Sequence, residues 1–118
     1  MLMLLITPKH RLFIAVKPVD FRSGIDGLAA LCHQKMFNDP LSGHVFVFSN
    51  RKKNSIKVLT YDSQGFWLCH KRLSQGSFKH WPTSSSSAVE LSVAQLQVLF
   101  YNGDPAKVKS VEPWRKIS

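Results

Sequence analysis

Four inner aspartates, Asp20, Asp26, Asp39 and Asp62, are the stock from which a metal-dependent phosphoryl-transfer centre would be built, because two-metal chemistry needs converging carboxylates. Each has a simpler use. Asp26 suits the first turn of a helix, Asp39 precedes Pro40 in a loop, Asp62 opens a hairpin turn, and Asp20 can pair with Arg22 or cap a turn. Both cysteines stand in Cys-His pairs, Cys32-His33 and Cys69-His70, but no CxxC or HxxxH spacing accompanies them. On a strand, Cys69 and His70 point to opposite faces, so one metal ion is not easily held by both. Gly24 and Gly27 lie outside any phosphate-binding pattern. We expect no catalytic residues, no metal and no cofactor.

The cations carry a stronger signal. The 118 residues hold sixteen Lys and Arg against seven Asp and Glu, a formal charge of +9. Between Arg51 and His80 there are seven basic residues and one acid, so six of the nine net charges fall in this stretch. A polyanion is the natural partner of such a chain. Arg51-Lys52-Lys53 at a hairpin tip can reach phosphates with little desolvation, and equally can be a solvated loop that discourages edge aggregation. Lys71-Arg72 on the adjoining strand, with Lys57 and Lys79 nearby, favours a continuous patch.

These residues need a scaffold, and the pattern describes an α+β domain: an antiparallel β-meander of about four to five strands with two main helices on one side or end. Leu12 to Val16 reads as a strand closed by Lys17-Pro18. Ser23 and Asp26 resemble a capping box at a helix that starts near Gly24 and runs to about Gln34, with Ile25, Leu28, Ala29 and Cys32 as its stripe. His44 to Phe48 reads as a central strand and Ser49 to Ser55 as a hairpin tip. Ile56–Tyr61 and Phe66–Arg72 pair around Asp62-Ser-Gln-Gly65, with Gly65 expected at positive φ. That register puts Ile56, Val58 and Thr60 with Trp67, Cys69 and Lys71, and places Lys57, Leu59 and Tyr61 with Phe66, Leu68, His70 and Arg72. Phe78 to Trp81 is expected as a further strand and Thr83 to Ser87 as a connector. Ser92 and Gln95 form a capping box for a second helix, with Leu91 and Leu96 as staple and Asn102-Gly103 as stop.

Residues 1–105 are thus expected to form a single domain, with a basic tail over 106–118 in which Trp114 can dock on the body. The aromatic residues Phe46, Phe48, Tyr61, Trp67 and Phe78 exceed what one helical layer covers, so the sheet curls on itself or a partner, including a second copy, covers part of it. Met1 to Ile6 is far shorter than the roughly 18 to 20 apolar residues of a membrane span, and the charges follow it, unlike a signal peptide. No membrane association and a cytoplasmic location are expected, with Cys32 and Cys69 as thiols.

Four segments together resemble a known family: Pro18-Val-Asp-Phe-Arg-Ser-Gly-Ile-Asp-Gly-Leu-Ala-Ala-Leu31; Asp39-Pro-Leu-Ser-Gly-His-Val-Phe-Val-Phe48; Ile56 to Leu68 with Lys71-Arg-Leu73 and Gly76; and Leu91-Ser-Val-Ala-Gln-Leu96. In order and spacing they resemble the small accessory protein, of TnpB or second-open-reading-frame type, of bacterial insertion sequences of family sixty-six. The likeness spans about Leu12 to Gly103. It implies a helper of transposition, with strand-transfer chemistry in a separate transposase. Ser23 and Ser49 stand where that pattern usually carries basic residues, which implies weaker binding. The expected DNA-contacting residues are Arg22, Arg51, Lys52, Lys53, Lys71 and Arg72, in largely sequence-independent contact. The alternative is a protein-interaction subunit that docks the transposase, or another protein of the element, without binding DNA itself.

Overall fold

Apolar runs broken by proline, polar turns and two capped amphipathic segments yield the elements in the computed structural model, which describes residues 10–36 and 38–108. Strand β1 (Leu12–Ala15) leads through a 3-10 turn (Phe21–Ser23) into helix α1 (Gly24–Gln34). Strands β2 (Val45–Ser49), β3 (Ser55–Tyr61) and β4 (Phe66–Arg72) follow, then β5 (Ala88–Leu91), helix α2 (Val93–Phe100) and a 3-10 turn (Pro105–Lys107).

The strands form one mixed, mostly antiparallel sheet in the order β4-β3-β2-β1-β5. Pairing within β3–β4 has the expected register, with Ile56 opposite Lys71, Val58 opposite Cys69 and Leu59 opposite Leu68. The sheet departs from a plain meander at β1 and β2, which are parallel because α1 carries the chain back between them. It departs again at β5, which pairs antiparallel with β1 on the far edge. The expected strand at Phe78–Trp81 does not form. Phe78 and Trp81 instead plug one face of the sheet, both buried, and the Trp81 indole Nε1 donates to the Ala15 carbonyl at 2.9 Å.

The helices lie on opposite faces, contrary to the expectation of one shared side. Leu28, Cys32 and Met36, from α1 and the turn that follows it, pack with Phe46, Phe48 and Leu59. Leu96 and Leu99 of α2, with Phe78 and Trp81, pack against Leu12, Ile14, Val45, Val47, Ile56 and Val58. Strand β2 is therefore buried on both faces. Of the aromatic surplus, Phe46, Phe48 and Phe78 are absorbed in these two layers, whereas Tyr61 is half-buried and Trp67 remains exposed at 47%.

Local chemistry sets the ends of the elements. The expected capping box at Ser23 does not form: Ser23 stands at the N-cap of α1 without a side-chain cap, and Asp20 caps the preceding 3-10 turn instead, its Oδ1 accepting from Arg22 N at 2.9 Å. Gly24 ends the 3-10 turn and opens α1 at φ 69, a conformation that strains a side chain. In the β3–β4 turn the positive φ falls on Ser63 rather than Gly65, because the Asp62 carboxylate already holds the N–H groups of Gln64 and Gly65. Ser92 and Gln95 close the capping box of α2 in both directions, 3.1 and 2.9 Å.

Thr83–Ser87 is irregular, as expected of a connector. Pro105 is buried and its carbonyl accepts from Gln95 Nε2. Trp114 and the Met1–Ile6 run lie outside the described residues. Among the described residues no helix is long and apolar enough to cross a membrane.

Candidate nucleic-acid interface

The β2–β3 hairpin tip is stiffened from within. Asn50 Oδ1 accepts from the backbone N–H of Asn54 and Ser55 at 3.0 and 3.1 Å, and its Nδ2 donates to Asn54 Oδ1. Lys53 takes a positive φ of 58 to complete the turn. Its carbonyl accepts from Phe78 N, and the Asn54 carbonyl from Leu73 N, which ties the tip to the loop after β4. Arg51 and Lys52 project from this braced turn into solvent.

Beside the tip lies a concavity of about 1050 Å³ between the 3-10 turn, the hairpin tip and the end of β4. Arg22, Arg51, Lys52 and Arg72 all line it, as do Phe21 and His70. Among the described residues no ion pair engages Arg51, Lys52 or Arg72. Arg22 is held by Asp20, with NH2 to Oδ2 at 2.8 Å and Nε to Oδ1 at 3.1 Å. Hydrogen bonding from Arg22 draws the Asp20 carboxyl down to about 2. With Asp20 on the same wall, four cations and one carboxylate leave the ring at net +3.

Two expected contact residues lie elsewhere. Lys71 shares the α2 face with Ile56, its Nζ donating to the Phe100 carbonyl and lying 4.7 Å from the Tyr101 ring centroid. Lys53 is half-buried: its Nζ donates to Ser49 Oγ at 3.3 Å and lies 5.4 Å from the Trp81 ring, and burial lowers its pKa. Lys57 is also engaged, with Nζ 2.7 Å from the Phe21 carbonyl and 4.9 Å from its ring centroid. It anchors the 3-10 turn that presents Arg22. Arg72 and Lys71 diverge because neighbouring strand residues face opposite ways.

Phe21 and His70 are not among the DNA-contacting residues expected from sequence. Their rings meet edge to face at 5.6 Å on the wall of the concavity. For His70 a signal existed, since it shares strand parity with Arg72. For Phe21 only the fold brings the turn before α1 against β4.

Other reactive groups are engaged locally. Asp39 Oδ1 accepts from Leu41 N, and Asp62 Oδ2 accepts from Trp67 Nε1 at 2.7 Å. Among the described residues no group of three or more His, Cys, Asp or Glu side chains is placed to hold a metal ion. Burial pushes the Cys32 thiol up to about 12, which keeps it protonated and unreactive. Cys32 packs on the α1 face and Cys69 on the α2 face, with the sheet between them.

A family described as IS66 Orf2 like protein matches residues 10–110. The chain is similar to two proteins of Sinorhizobium fredii. It is 38% identical over 89 residues to "Uncharacterized protein y4hO", covering 75% of this chain and 76% of the relative. It is 32% identical over 99 residues to "Uncharacterized protein y4jC", covering 84% of each. No solved structure matches the chain. With the match running through β1, both helices and the braced hairpin, the chain belongs to the IS66 Orf2-like family of transposition accessory proteins.

Proposed function

We propose that this protein serves transposition by docking on DNA, without strand-transfer chemistry of its own, and that phosphates seat in the concavity ringed by Arg22, Arg51, Lys52 and Arg72. The observation that carries the reading is the convergence of these four cations on one open surface, three of them in no close ion pair among the described residues. Guanidinium forks at Arg51 and Arg72 match phosphate oxygens, and contacts of this kind position a protein on DNA without reading bases. The protein then works in the bacterial cytoplasm, beside the transposase that performs the chemistry. Fluorescence anisotropy with a labelled duplex at two salt concentrations tests this. Binding is expected to weaken steeply with salt. An affinity indifferent to salt, or no binding at low salt, overturns the reading.

The second reading, a subunit that holds the transposase without touching DNA, draws on exposed apolar side chains outside the cation-lined concavity, Leu41 at 55% and Tyr101 at 84%. Co-purification with the transposase before and after nuclease digestion separates the two. Association bridged by DNA is lost on digestion, whereas direct docking survives.

A further inference from the structure

The sheet ends at one edge in the four-residue β5 and at the other in the seven-residue β4, none of whose residues is buried. β4 is the longer terminal strand, and among the described residues only β3 pairs with its backbone. The direction of its free groups follows from the bonds that flank it. Asp62 N donates to the Gly65 carbonyl and Leu73 N to the Asn54 carbonyl, so residues 65 and 73 turn their main chain towards β3. By alternation 67, 69 and 71 do the same, and Phe66, Leu68, His70 and Arg72 point their N–H and C=O groups outward. No proline or bulge interrupts this seven-residue edge.

We propose that β4 pairs antiparallel with β4 of a second copy about a two-fold axis at Cys69, joining two five-stranded sheets into one. Residues directly opposite in a sheet share a face, and a two-fold axis perpendicular to the sheet preserves faces, so only registers that match like parity are possible. Centring the axis on Cys69 sets Phe66 opposite Arg72 of the partner, Trp67 opposite Lys71, and Leu68 opposite His70. All seven residues pair, and every cation meets an aromatic or apolar side chain. Moving the axis to His70 stacks His70 on itself and sets Arg72 against Leu68 with fewer pairs. Moving it to Leu68 leaves Lys71 and Arg72 beyond the paired strand.

The outward groups agree with this register. Phe66–Arg72 and Leu68–His70 become hydrogen-bonded pairs, about eight main-chain bonds across the axis. Trp67–Lys71 and Cys69–Cys69 become the closer, non-hydrogen-bonded pairs. A second feature fits the same occupant. On the α2 face, Lys71, Gln97, Val98, Phe100, Tyr101 and Gly103 bound a concavity of about 630 Å³. The indole that the register places opposite Lys71 is Trp67, 47% exposed in the single chain. The exposed Tyr101 then becomes a wall for it. The paired strands also put the two Arg72 residues on one face, about 20 Å apart along the strand direction.

Sedimentation velocity over a concentration series, with short bis-maleimide crosslinking, tests the proposal. The full chain is expected to sediment as a dimer and to crosslink through Cys69. Cys69→Ser should abolish the crosslink while the dimer persists. Trp67→Lys sets lysine against Lys71 twice, and His70→Pro removes an outward donor without touching the β3 ladder. Each should shift the protein to monomer with the thermal melt of that monomer still cooperative. A monomeric wild-type chain overturns the proposal. So does a dimer that fails to crosslink at Cys69, or one that Trp67→Lys and His70→Pro both leave intact.

Discussion

Replacing Arg51, Lys52 and Arg72 together by Ala, and separately replacing Lys53 and Lys71 by Ala, distinguishes a built phosphate surface from mere net charge. The variants lose three and two charges, yet the structure makes them unequal. Among the described residues Arg51, Lys52 and Arg72 line the concavity without a close ion pair, whereas the ammonium groups of Lys53 and Lys71 are held by Ser49 and the Phe100 carbonyl. Each phosphate contact contributes about 0.9 to the slope of log affinity against log salt, so the triple variant should flatten it by about 2.7. At about 0.1 M salt that corresponds to roughly eightfold per contact and about 500-fold for three. The Lys53/Lys71 variant should change the slope by less than about 1, the value of one contact. Anisotropy titrations over a salt series measure both slopes, with circular dichroism melts to verify folding. Equal losses in the two variants would refute the reasoning, because binding would then follow total charge and not the groove.

Further outcomes follow from individual contacts. Asp20→Asn keeps an oxygen to accept from Arg22 N but frees the guanidinium, so DNA affinity should rise by up to about tenfold at low salt, measured in the same titration. Asp20 and Asp62 are both held below the ordinary carboxylate range, Asp20 at about 2 through Arg22 and Asp62 by the Gln64 N–H, the Trp67 indole and the Gly65 N–H. Their contribution is present above that range and lost as pH falls towards 2, so the melting temperature should drop on acidification. The drop should be smaller in the Asp20→Asn/Asp62→Asn variant. Trp81→Phe leaves the Ala15 carbonyl without its buried donor and should cost about 1–3 kcal/mol in urea unfolding. Gly103→Ala would set a Cβ 2.6 Å from Val98 Cγ1 and should destabilise by about 1–3 kcal/mol, with partial recovery on adding Val98→Ala.

The candidate surface was legible in part. Parity along β4 already separated Lys71 from Arg72, and it set His70 beside Arg72. That rule needs only the register of one hairpin. The burial of Lys53 needed more: its stem reaches Trp81, twenty-eight positions away, and no local pattern announces that contact. Likewise Asp20 and Arg22 could be paired from their spacing, but their place opposite β4 depends on Lys57 holding the Phe21 carbonyl.

Residue order alone settled the features whose causes lie within a few positions. The bounds of α1, the capping box of α2, the β3–β4 register and the central, doubly covered strand β2 are of this kind. Tertiary structure decided what depends on distant partners. It set β1 and β2 parallel, recruited Ala88–Leu91 as an edge strand, turned Phe78 and Trp81 into a plug and put the helices on opposite faces. Caps, turns and side-chain periodicity act through bonds between near neighbours, whereas sheet order and layer assignment follow from burying two apolar surfaces at once, a constraint that no short window of sequence contains.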